Sequence, residues 1–243
     1  MTDYCIILEK INHYFGTNHI LKDISINIPY GQIYGLLGPS GCGKTTLVKI
    51  MAGILEPKSG VTLVLDQNMP DLQLMAKIGY MAQSDALYLS LSAEENLFFF
   101  GTVYGISKAH LKNRIQEVMA LVNLSDDLKK PVNAYSGGMK RRLSLALALL
   151  HQPPILLLDE PTVGIDPLLR KDIWDELHNL AQQGTSILVT THVMDEAEKC
   201  HQLAMMRAGV LLAKGSCKDI LAGAGAATIE EAFIFYGGGQ DAG

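Results

Sequence analysis

The chain has 243 residues, 48% hydrophobic and 19% charged, enough to bury the core of one large domain. A net charge of −5 argues against a broad contact with the phosphate backbone of nucleic acid. The longest apolar runs fall short of the roughly 20 residues that cross a bilayer. A mean hydropathy of +0.17 is still high, and it fits either an apolar surface that meets a partner or a well-filled core.

The four cysteines, at positions 5, 42, 200 and 217, show neither metal-ligand spacing nor a disulfide framework. The N-terminal "MTDYCIILEK" lacks the features of a secretion signal. We therefore expect no secretion and a reducing, cytoplasmic compartment.

In chain order, residues 4–35 alternate apolar and polar side chains in short runs, which predicts strands joined by turns. The stretch "GLLGPSGCGKTTLVKIMAGI" predicts a strand, a glycine loop and a helix, and "GVTLVLD" and "KIGYMAQ" predict two more strands. From Ser90 to about Val132 the pattern is helical, and "SAEENLFFF" opens on a serine cap with two glutamates in the first turn.

The second half alternates helices with apolar strands, which predicts an α/β fold with a mostly parallel sheet. The helices are "GGMKRRLSLALALL", "DPLLRKDIWDELHNLAQQG", "DEAEKC" and "IEEAFIFY", and the strands are "PILLLDE", "TSILVTTH" and "QLAMMRAG".

The segment from Gly38 to Thr46, called the phosphate loop below, reads "GPSGCGKTT" and fits the pattern G-x-x-x-x-G-K-[ST] between a strand and a helix. Glycines let backbone N–H groups converge on phosphate oxygens, and the helix adds the positive end of its dipole. We expect Lys44 to reach the β- and γ-phosphates and the Thr45 hydroxyl to bind Mg²⁺. The alternative is a glycine-rich turn with a chance lysine.

The run "ILLLDE" ends a predicted buried strand in Asp159 and Glu160. Neighbouring residues of a strand point to opposite faces, so we expect the two carboxylates to differ in role. Asp159 suits the surroundings of Mg²⁺, and Glu160 could orient or deprotonate an attacking water. The alternative is a strand that simply ends in acidic residues before a proline turn.

His192 and Gln83 each follow the end of a predicted strand, where such sheets line their ligand crevice. Each residue alone would be read as structural. Their shared position beside the phosphate loop favours a functional role.

The segment "YSGGMKRRL", Tyr135 to Leu143, resembles a second phosphate-binding helix start, but it has no lysine among its glycines. In isolation it would be an ordinary capped helix. Of the cations that follow, we expect Lys140 and Arg141 on a solvated helix face, although these two and Arg142 could instead pair with acidic side chains.

In this order the motifs resemble those of the nucleotide-binding subunit of an ABC (ATP-binding cassette) transporter, over about residues 7–235. They are "GPSGCGKT" (Walker A), "MAQ" (Q-loop), "YSGGM" (signature), "ILLLDE" (Walker B), "VGID" (D-loop) and "TTHV" (H-loop). Walker motifs occur in many NTPases, and it is the signature between Q-loop and Walker B that distinguishes this family.

The resemblance implies that two ATP molecules are sandwiched in a two-fold dimer, each held by the phosphate loop of one chain and the signature of the other. It assigns ATP binding to Phe15, Gly38, Pro39, Ser40, Gly41, Cys42, Gly43, Lys44, Thr45 and Thr46. It assigns contacts across the dimer to Ser136, Gly137, Gly138 and Asp166. Phe15 matches the aromatic that stacks on adenine, and Tyr14 is the neighbouring candidate.

The resemblance also assigns catalysis to Glu160, His192 and Gln83, and Mg²⁺ binding to Thr45, Gln83 and Asp159. His192 would contact the γ-phosphate and position both water and Glu160. Gln83 would sense the γ-phosphate while touching a transmembrane partner. The implied cofactors are ATP and Mg²⁺.

The signature departs from the family pattern at Tyr135, where Leu is commoner, and at Met139, where Gln is commoner. Both changes spare the Ser-Gly-Gly, so we expect altered packing with activity kept. The segments "YSGGMKRRL", "PTVGIDP" and "ENLFFFGTVYG" look most like the subclass that serves drug, lipid or polysaccharide exporters.

The implied fold is a P-loop NTPase core with an N-terminal antiparallel β subdomain and an inserted helical subdomain. We expect the ATP-binding core over about 1–84 and 154–235, the helical subdomain over about 85–153, and a disordered tail over 236–243. The aromatic segment "SDALYLSLSAEENLFFFGTVYG" lies where the family receives the coupling helix of its membrane partner, although internal packing accounts for some of these side chains.

The expected function is that of an ATPase subunit that drives transport, with export favoured, through a separate transmembrane protein at the inner face of the cell membrane. It would pair with a second copy when ATP is bound. One alternative is a soluble ATPase of the same family that acts on a ribosome, DNA or an assembly scaffold. Another is a non-hydrolysing adaptor that binds ATP as a switch.

Overall fold

The computed structural model describes residues 3–84 and 86–238, and within them it contains ten β-strands and nine α-helices. The strands are β1 (Tyr4–Phe15), β2 (Asn18–Pro29), β3 (Ile33–Leu37), β4 (Ser59–Val64), β5 (Gln67–Asn68), β6 (Ile78–Met81), β7 (Ile155–Asp159), β8 (Ser186–Thr191), β9 (Gln202–Arg207) and β10 (Val210–Gly215). The helices are α1 (Lys44–Met51), α2 (Leu72–Met75), α3 (Ala93–Val103), α4 (Lys108–Leu121), α5 (Gly137–Leu149), α6 (Pro167–Gln182), α7 (Met194–Ala197), α8 (Cys217–Ala224) and α9 (Ile229–Gly238).

The central sheet has the strand order β10-β9-β3-β8-β7-β6 among the described residues. Its pairs are parallel except for the antiparallel pair at the edge, β9 with β10. Every residue of β3, β7 and β8 is buried, as expected for parallel strands covered on both faces. The predicted mostly parallel sheet is confirmed.

A second sheet, of order β2-β1-β4-β5, is antiparallel and comes from the N-terminal part of the chain, as predicted. Its inward apolar residues, such as Ile6 and Ile26, share one buried cluster with Leu47 of α1 and with Leu157 and Leu188 of the central sheet. Helix α1 therefore lies between the two sheets, which holds its N-terminus in place.

Helices α3, α4 and α5 lie between β6 and β7 in the chain, within the segment predicted as a helical subdomain. Helix α3 begins at the predicted serine cap, where Ser92 and Glu95 form a capping box. The buried cluster of these helices continues onto the central sheet and α6, through Leu156, Val189 and Trp174. The division of the chain into subdomains stays a prediction.

Two arginines tie α4 to α5 by binding the carbonyl groups at each other's C-terminal ends. Arg114 of α4 donates to the Leu149 and Leu150 oxygens, at 2.8 and 3.2 Å. Arg142 of α5 donates to the Val122 and Asn123 oxygens, at 3.0 and 2.9 Å. Carbonyls in the last turn of a helix lack i+4 partners within it. The Leu149 oxygen also accepts from the Gln152 N–H at 3.2 Å, and the two arginines add hydrogen bonds at both helix ends, which holds the helix pair together.

The C-terminal part differs from the sequence prediction in two ways. Strand β10 and helix α8 lie where the pattern assigned no element, because a half-exposed edge strand does not alternate cleanly. The predicted disordered tail is wrong for its first three residues, since α9 continues to Gly238 and Arg207 donates to the Gly237 oxygen at 2.8 Å. Residues 239–243 of that tail lie outside the described residues.

Membrane-spanning potential is limited to one bent pair. Among the described residues no single helix is long and apolar enough to span a bilayer. Helices α8 and α9, which meet at a bend of 55°, have the length and composition of a span only when they are taken together.

A stability prediction follows from the close approach of α5 to β6. A Cβ added to Gly79 would lie 2.3 Å from the Ala148 carbonyl oxygen and 2.6 Å from a Leu156 methyl group, so one of these elements would have to move. We expect Gly79→Ala to lower the free energy of unfolding in urea by about 1–3 kcal/mol. Gly238→Ala is the matched control and should leave it unchanged, because a Cβ there would meet no atom of the described residues within 4 Å. Equal values for the two variants would contradict this packing.

Candidate active site

The phosphate loop connects the buried β3 to α1 and is held in place by its glycines. Gly41 and Gly43 have φ values of 78° and 109°, which residues with a Cβ rarely adopt. A Cβ on Gly38 would lie 2.2 Å from the Met206 oxygen, so the loop packs directly against β9. Helix α1 has Gly43 as its N-cap with no side-chain cap. Its first N–H groups are therefore available to an anion.

The Lys44 ammonium is buried within this loop. Nζ donates to the Gly38 and Pro39 oxygens at 2.6 and 3.1 Å and lies 3.8 Å from Glu160 Oε1. The Cys42 side chain, by contrast, packs into the apolar cluster between the sheets, and burial raises the pKa of its thiol. Cys42 can thus face a nucleotide only through its backbone.

Asp159 ends β7 and is fully buried. Its Oδ1 accepts from the Thr190 hydroxyl at 2.5 Å. Among residues 3–84 and 86–238, its Oδ2 has no hydrogen-bond partner. An unpartnered buried carboxylate oxygen is costly, and a cation or its bound water would satisfy it.

Glu160 lies just beyond the strand, with φ at 53°, so the sequence prediction of both carboxylates on one strand is wrong for this residue. Its backbone N–H is held by Thr190 of the next strand, at 3.0 Å to Oγ1. Its side-chain Oε1 lies 3.2 Å from His192 Nδ1. An ionised Glu160 carboxylate would accept this hydrogen bond from an Nδ1–H group of His192.

One cleft brings together most of the predicted nucleotide and catalytic residues. It is lined by Phe15, Ile20, Ser40, Gly41, Gly43, Lys44, Thr45, Thr46, Gln83 and Glu160. Phe15 is 55% exposed at this cleft, whereas Tyr14 is stacked on His19 with ring centroids 3.9 Å apart. The geometry therefore favours Phe15 over Tyr14 as the aromatic that meets a base.

The signature residues line no part of this cleft. Ser136 is the N-cap of α5, where its Oγ accepts from the Met139 N–H at 3.2 Å. A Cβ on Gly137 would meet no atom of residues 3–84 and 86–238 within 4 Å, and one on Gly138 would lie 3.1 Å from the Gly164 oxygen. Asp166 caps α6 by accepting from the Leu169 N–H at 3.0 Å, a role within the chain that the sequence analysis did not assign.

Two buried charged residues beside the site were missed. Arg141, expected on a solvated face, is 7% exposed and donates hydrogen bonds to the backbone oxygens of Gln83 and Glu160. Glu196 is 3% exposed and accepts from the hydroxyls of Thr162 and Thr191. The only sequence signal for the hydrogen bonds of Glu196 was the pair of hydroxyl residues, Thr162 and Thr191, near the ends of β7 and β8.

The predicted Mg²⁺ ligands fit such an ion. A hydroxyl, an amide and a carboxylate are oxygen donors, and Mg²⁺ in phosphate sites keeps waters and substrate oxygens as its other ligands. The unpartnered Asp159 Oδ2 supports this fit. Among the described residues no group of three or more His, Cys, Asp or Glu side chains could hold a metal ion.

Comparison with known proteins agrees with this geometry. A model of the family described as ABC transporter matches residues 21–163. The probable multidrug ABC transporter ATP-binding protein YbhF of Escherichia coli (strain K12) is 37% identical over 235 residues, which are 94% of this chain and 40% of that protein. The linearmycin resistance ATP-binding protein LnrL of Bacillus subtilis (strain 168) is 37% identical over 91% of this chain and 72% of its own length. The chain thus spans less than half of YbhF.

Solved structures resemble the whole fold. An ATP binding subunit of an ABC transporter has a TM-score of 0.89 and 26% identity, with 96% of this chain and 99% of the other covered. The dimeric bacterial ABC transporter cassette MJ0796 has a TM-score of 0.80 and 25% identity over 87% of this chain and 98% of its own. From the matched family model and the relatives, the chain belongs to the ABC transporter family.

Proposed function

We propose that the chain is the ATP-binding and ATP-hydrolysing subunit of a transporter, and that it powers a separate transmembrane protein. The observation that carries this proposal is the single cleft in which the phosphate loop, Gln83 and Glu160 meet, with His192 hydrogen-bonded to Glu160. Each of these groups follows a strand of the same sheet, so one rigid edge positions them all.

Within this cleft the chain supplies charge and orientation. The N-terminus of α1 and the Lys44 ammonium would hold the β- and γ-phosphates, replacing the carbonyl contacts that Lys44 makes. When bound, Mg²⁺ would neutralise phosphate charge, held by Thr45, Gln83 and Asp159. Glu160 would accept a proton from the attacking water, and His192 would orient its carboxylate.

We further propose that a second copy completes the site. The signature residues of the same chain are outside the lining of the cleft. In the part of the chain that the structure describes, nothing lies within 4 Å of a Cβ placed on Gly137, so its lack of a side chain is not explained by packing there. A facing chain would use that open N-terminus of α5 to bind the γ-phosphate. The similar cassette MJ0796 is dimeric, which supports this arrangement.

The transmembrane partner would dock at a groove beside Gln83. Tyr80, Ala82, Phe100 and Tyr104 line this groove, and its wall is mainly apolar. Burial and the nearby Asp159 carboxylate raise the pKa of Tyr80 to about 12, so its hydroxyl stays neutral. Phe98 and Phe99 next to it are 42% and 44% exposed, which suits the insertion of an apolar helix. Such docking would keep the subunit at the inner face of the cell membrane.

The names of the relatives YbhF and LnrL, which refer to a multidrug transporter and to linearmycin resistance, support export.

We expect Glu160→Gln to bind ATP but to lower kcat by about 10²–10⁴-fold, because the amide cannot accept the proton of water. Steady-state phosphate release measures kcat, and gel filtration with ATP should show an accumulated dimer. Glu230→Gln on the exposed side of α9 is the matched control and should behave as the wild type. Wild-type turnover by Glu160→Gln would overturn the assignment of the base.

We expect Lys44→Ala to weaken ATP binding by about tenfold or more, since a buried charge that would pair with phosphate is lost. Isothermal titration calorimetry with ATP and Mg²⁺ measures this change. Lys49→Ala removes an exposed lysine from the last turn of the same helix and should retain wild-type affinity. An unchanged affinity in Lys44→Ala would count against the phosphate loop.

We expect Ser136→Arg to abolish the ATP-dependent dimer of the Glu160→Gln variant and to leave binding of ATP by the monomer intact. The bulky cation would occupy the open N-terminus of α5 and oppose its dipole. Ser107→Arg at the N-cap of α4 is the matched control. Analytical ultracentrifugation with ATP distinguishes the two, and a dimer that survives Ser136→Arg would refute the role of the signature across the interface.

A further inference from the structure

Arg141 is the fifth residue of α5, and its guanidinium is buried beside the candidate active site. Nη1 donates to the Ala82 and Gln83 oxygens at 2.7 and 3.0 Å. Nη2 donates to the backbone oxygen of Asp159 and, at 2.7 Å, to the backbone oxygen of Glu160. Nε donates to the same Glu160 backbone oxygen at 3.2 Å. One side chain thus connects three segments: α5, the residues after β6 and the end of β7.

These contacts use three nitrogens of a planar, permanently charged group. A guanidinium can satisfy several acceptors fixed in different directions at once, whereas a lysine ammonium is a point donor on a flexible chain. The carbonyls it reaches lie at the last residue of β7 or just beyond the ends of β6 and β7. Arg141 therefore supplies hydrogen bonds that the sheet no longer provides there.

The Glu160 backbone depends on this support. Its φ of 53° is left-handed, a conformation that a residue with a Cβ adopts only when its surroundings hold it. Thr190 holds its N–H and Arg141 holds its carbonyl oxygen, so both peptide groups are fixed from outside. The direction of the Glu160 carboxylate follows from that backbone.

The other end of the connection is the signature. Ser136 caps α5 five residues before Arg141, which is roughly 7.5 Å along a helix axis. A shift of α5 on contact with phosphate would therefore reach Arg141 and the carbonyls it binds.

We infer that Arg141 is a positioning residue that couples the signature helix α5 to Gln83 and Glu160. When the signature contacts the nucleotide held by the partner chain, Arg141 aligns the base Glu160 in the site of the chain that carries the signature. The inference rests on the proposed function. It gives the two nucleotides of the dimer a route of communication through one buried side chain.

The test compares Arg141→Gln with Arg142→Gln, its matched control. Arg142 is the next residue of the same helix and also binds two backbone oxygens, but those belong to the end of α4. Hydrogen exchange measured by mass spectrometry needs no turnover. We expect Arg141→Gln to accelerate exchange in residues 79–84 and 157–163, and Arg142→Gln to accelerate it in residues 119–124 instead.

Kinetics of the purified chain give the second readout. We expect Arg141→Gln to lower kcat by roughly 10- to 100-fold while the KM for ATP changes little, since displacement of a catalytic group affects the reaction more than binding. Arg142→Gln should keep wild-type kcat. Combined with Glu160→Gln, the Arg141→Gln change should still permit the ATP-bound dimer, because the signature residues remain.

Equal exchange patterns in the two variants, equal kcat values, or loss of the dimer in the double variant would each overturn the coupling role. If Arg141→Gln fails to fold, the coupling role is tested with Arg141→Lys, which keeps the charge. This variant should lower kcat and leave the KM for ATP unchanged. A wild-type chain without ATPase activity would contradict the proposed function, whereas the exchange patterns would still test the connection made by Arg141.

Discussion

The Glu160 carboxylate lies between two cationic or proton-donating groups, 3.8 Å from Lys44 Nζ and 3.2 Å from His192 Nδ1. These three residues follow β7, β3 and β8, which are neighbours in the central sheet. Parallel strands place their C-terminal ends at one edge, so residues more than a hundred positions apart in sequence can meet there. The buried core behind those strands fixes this edge, and the chemistry of the cleft depends on it.

In the proposed dimer each chain would contribute two half-sites rather than one whole site. The N-terminus of α1 lines the cleft, whereas the signature residues at the N-terminus of α5 are outside its lining, and a Cβ on Gly137 would meet no described atom within 4 Å. Both helix starts favour phosphate for the same electrostatic reason. A two-fold pair would satisfy both at once, and such a closure would depend on the γ-phosphate between the halves. The free energy of ATP binding would then drive the motion of the two chains relative to each other.

Arginines organise the helical segment that would carry this motion outward. Arg114 and Arg142 join α4 and α5 into one body through carbonyl groups at the helix ends, and Arg141 ties that body to the strand ends of the core. The groove next to Gln83 is lined both by the helical segment, through Phe100 of α3 and Ser144 of α5, and by Tyr80 at the end of β6. A partner in this groove would therefore contact both the helix that carries the signature and the strand that leads to Gln83.

Local patterns in the sequence determined most of the fold and the identity of the site. The phosphate loop, the apolar strands and the serine cap of α3 are written in contiguous residues, because glycine conformations, strand burial and helix capping are local properties. The half-exposed strand β10 left no clear pattern, and the glycines at the end of α9 receive a hydrogen bond from the distant Arg207 at the Gly237 oxygen.

Only the tertiary structure decided which charged residues are buried. Lys140, Arg141 and Arg142 are alike in sequence, yet Arg141 faces the carbonyls of Gln83 and Glu160, and Arg142 faces the end of α4. Glu160 likewise follows the strand in a left-handed conformation that no pattern of apolar residues indicates. The sequence identifies the arginines that can donate hydrogen bonds. The positions of the carbonyl oxygens that accept them depend on where distant strands end, which is a property of the assembled sheet.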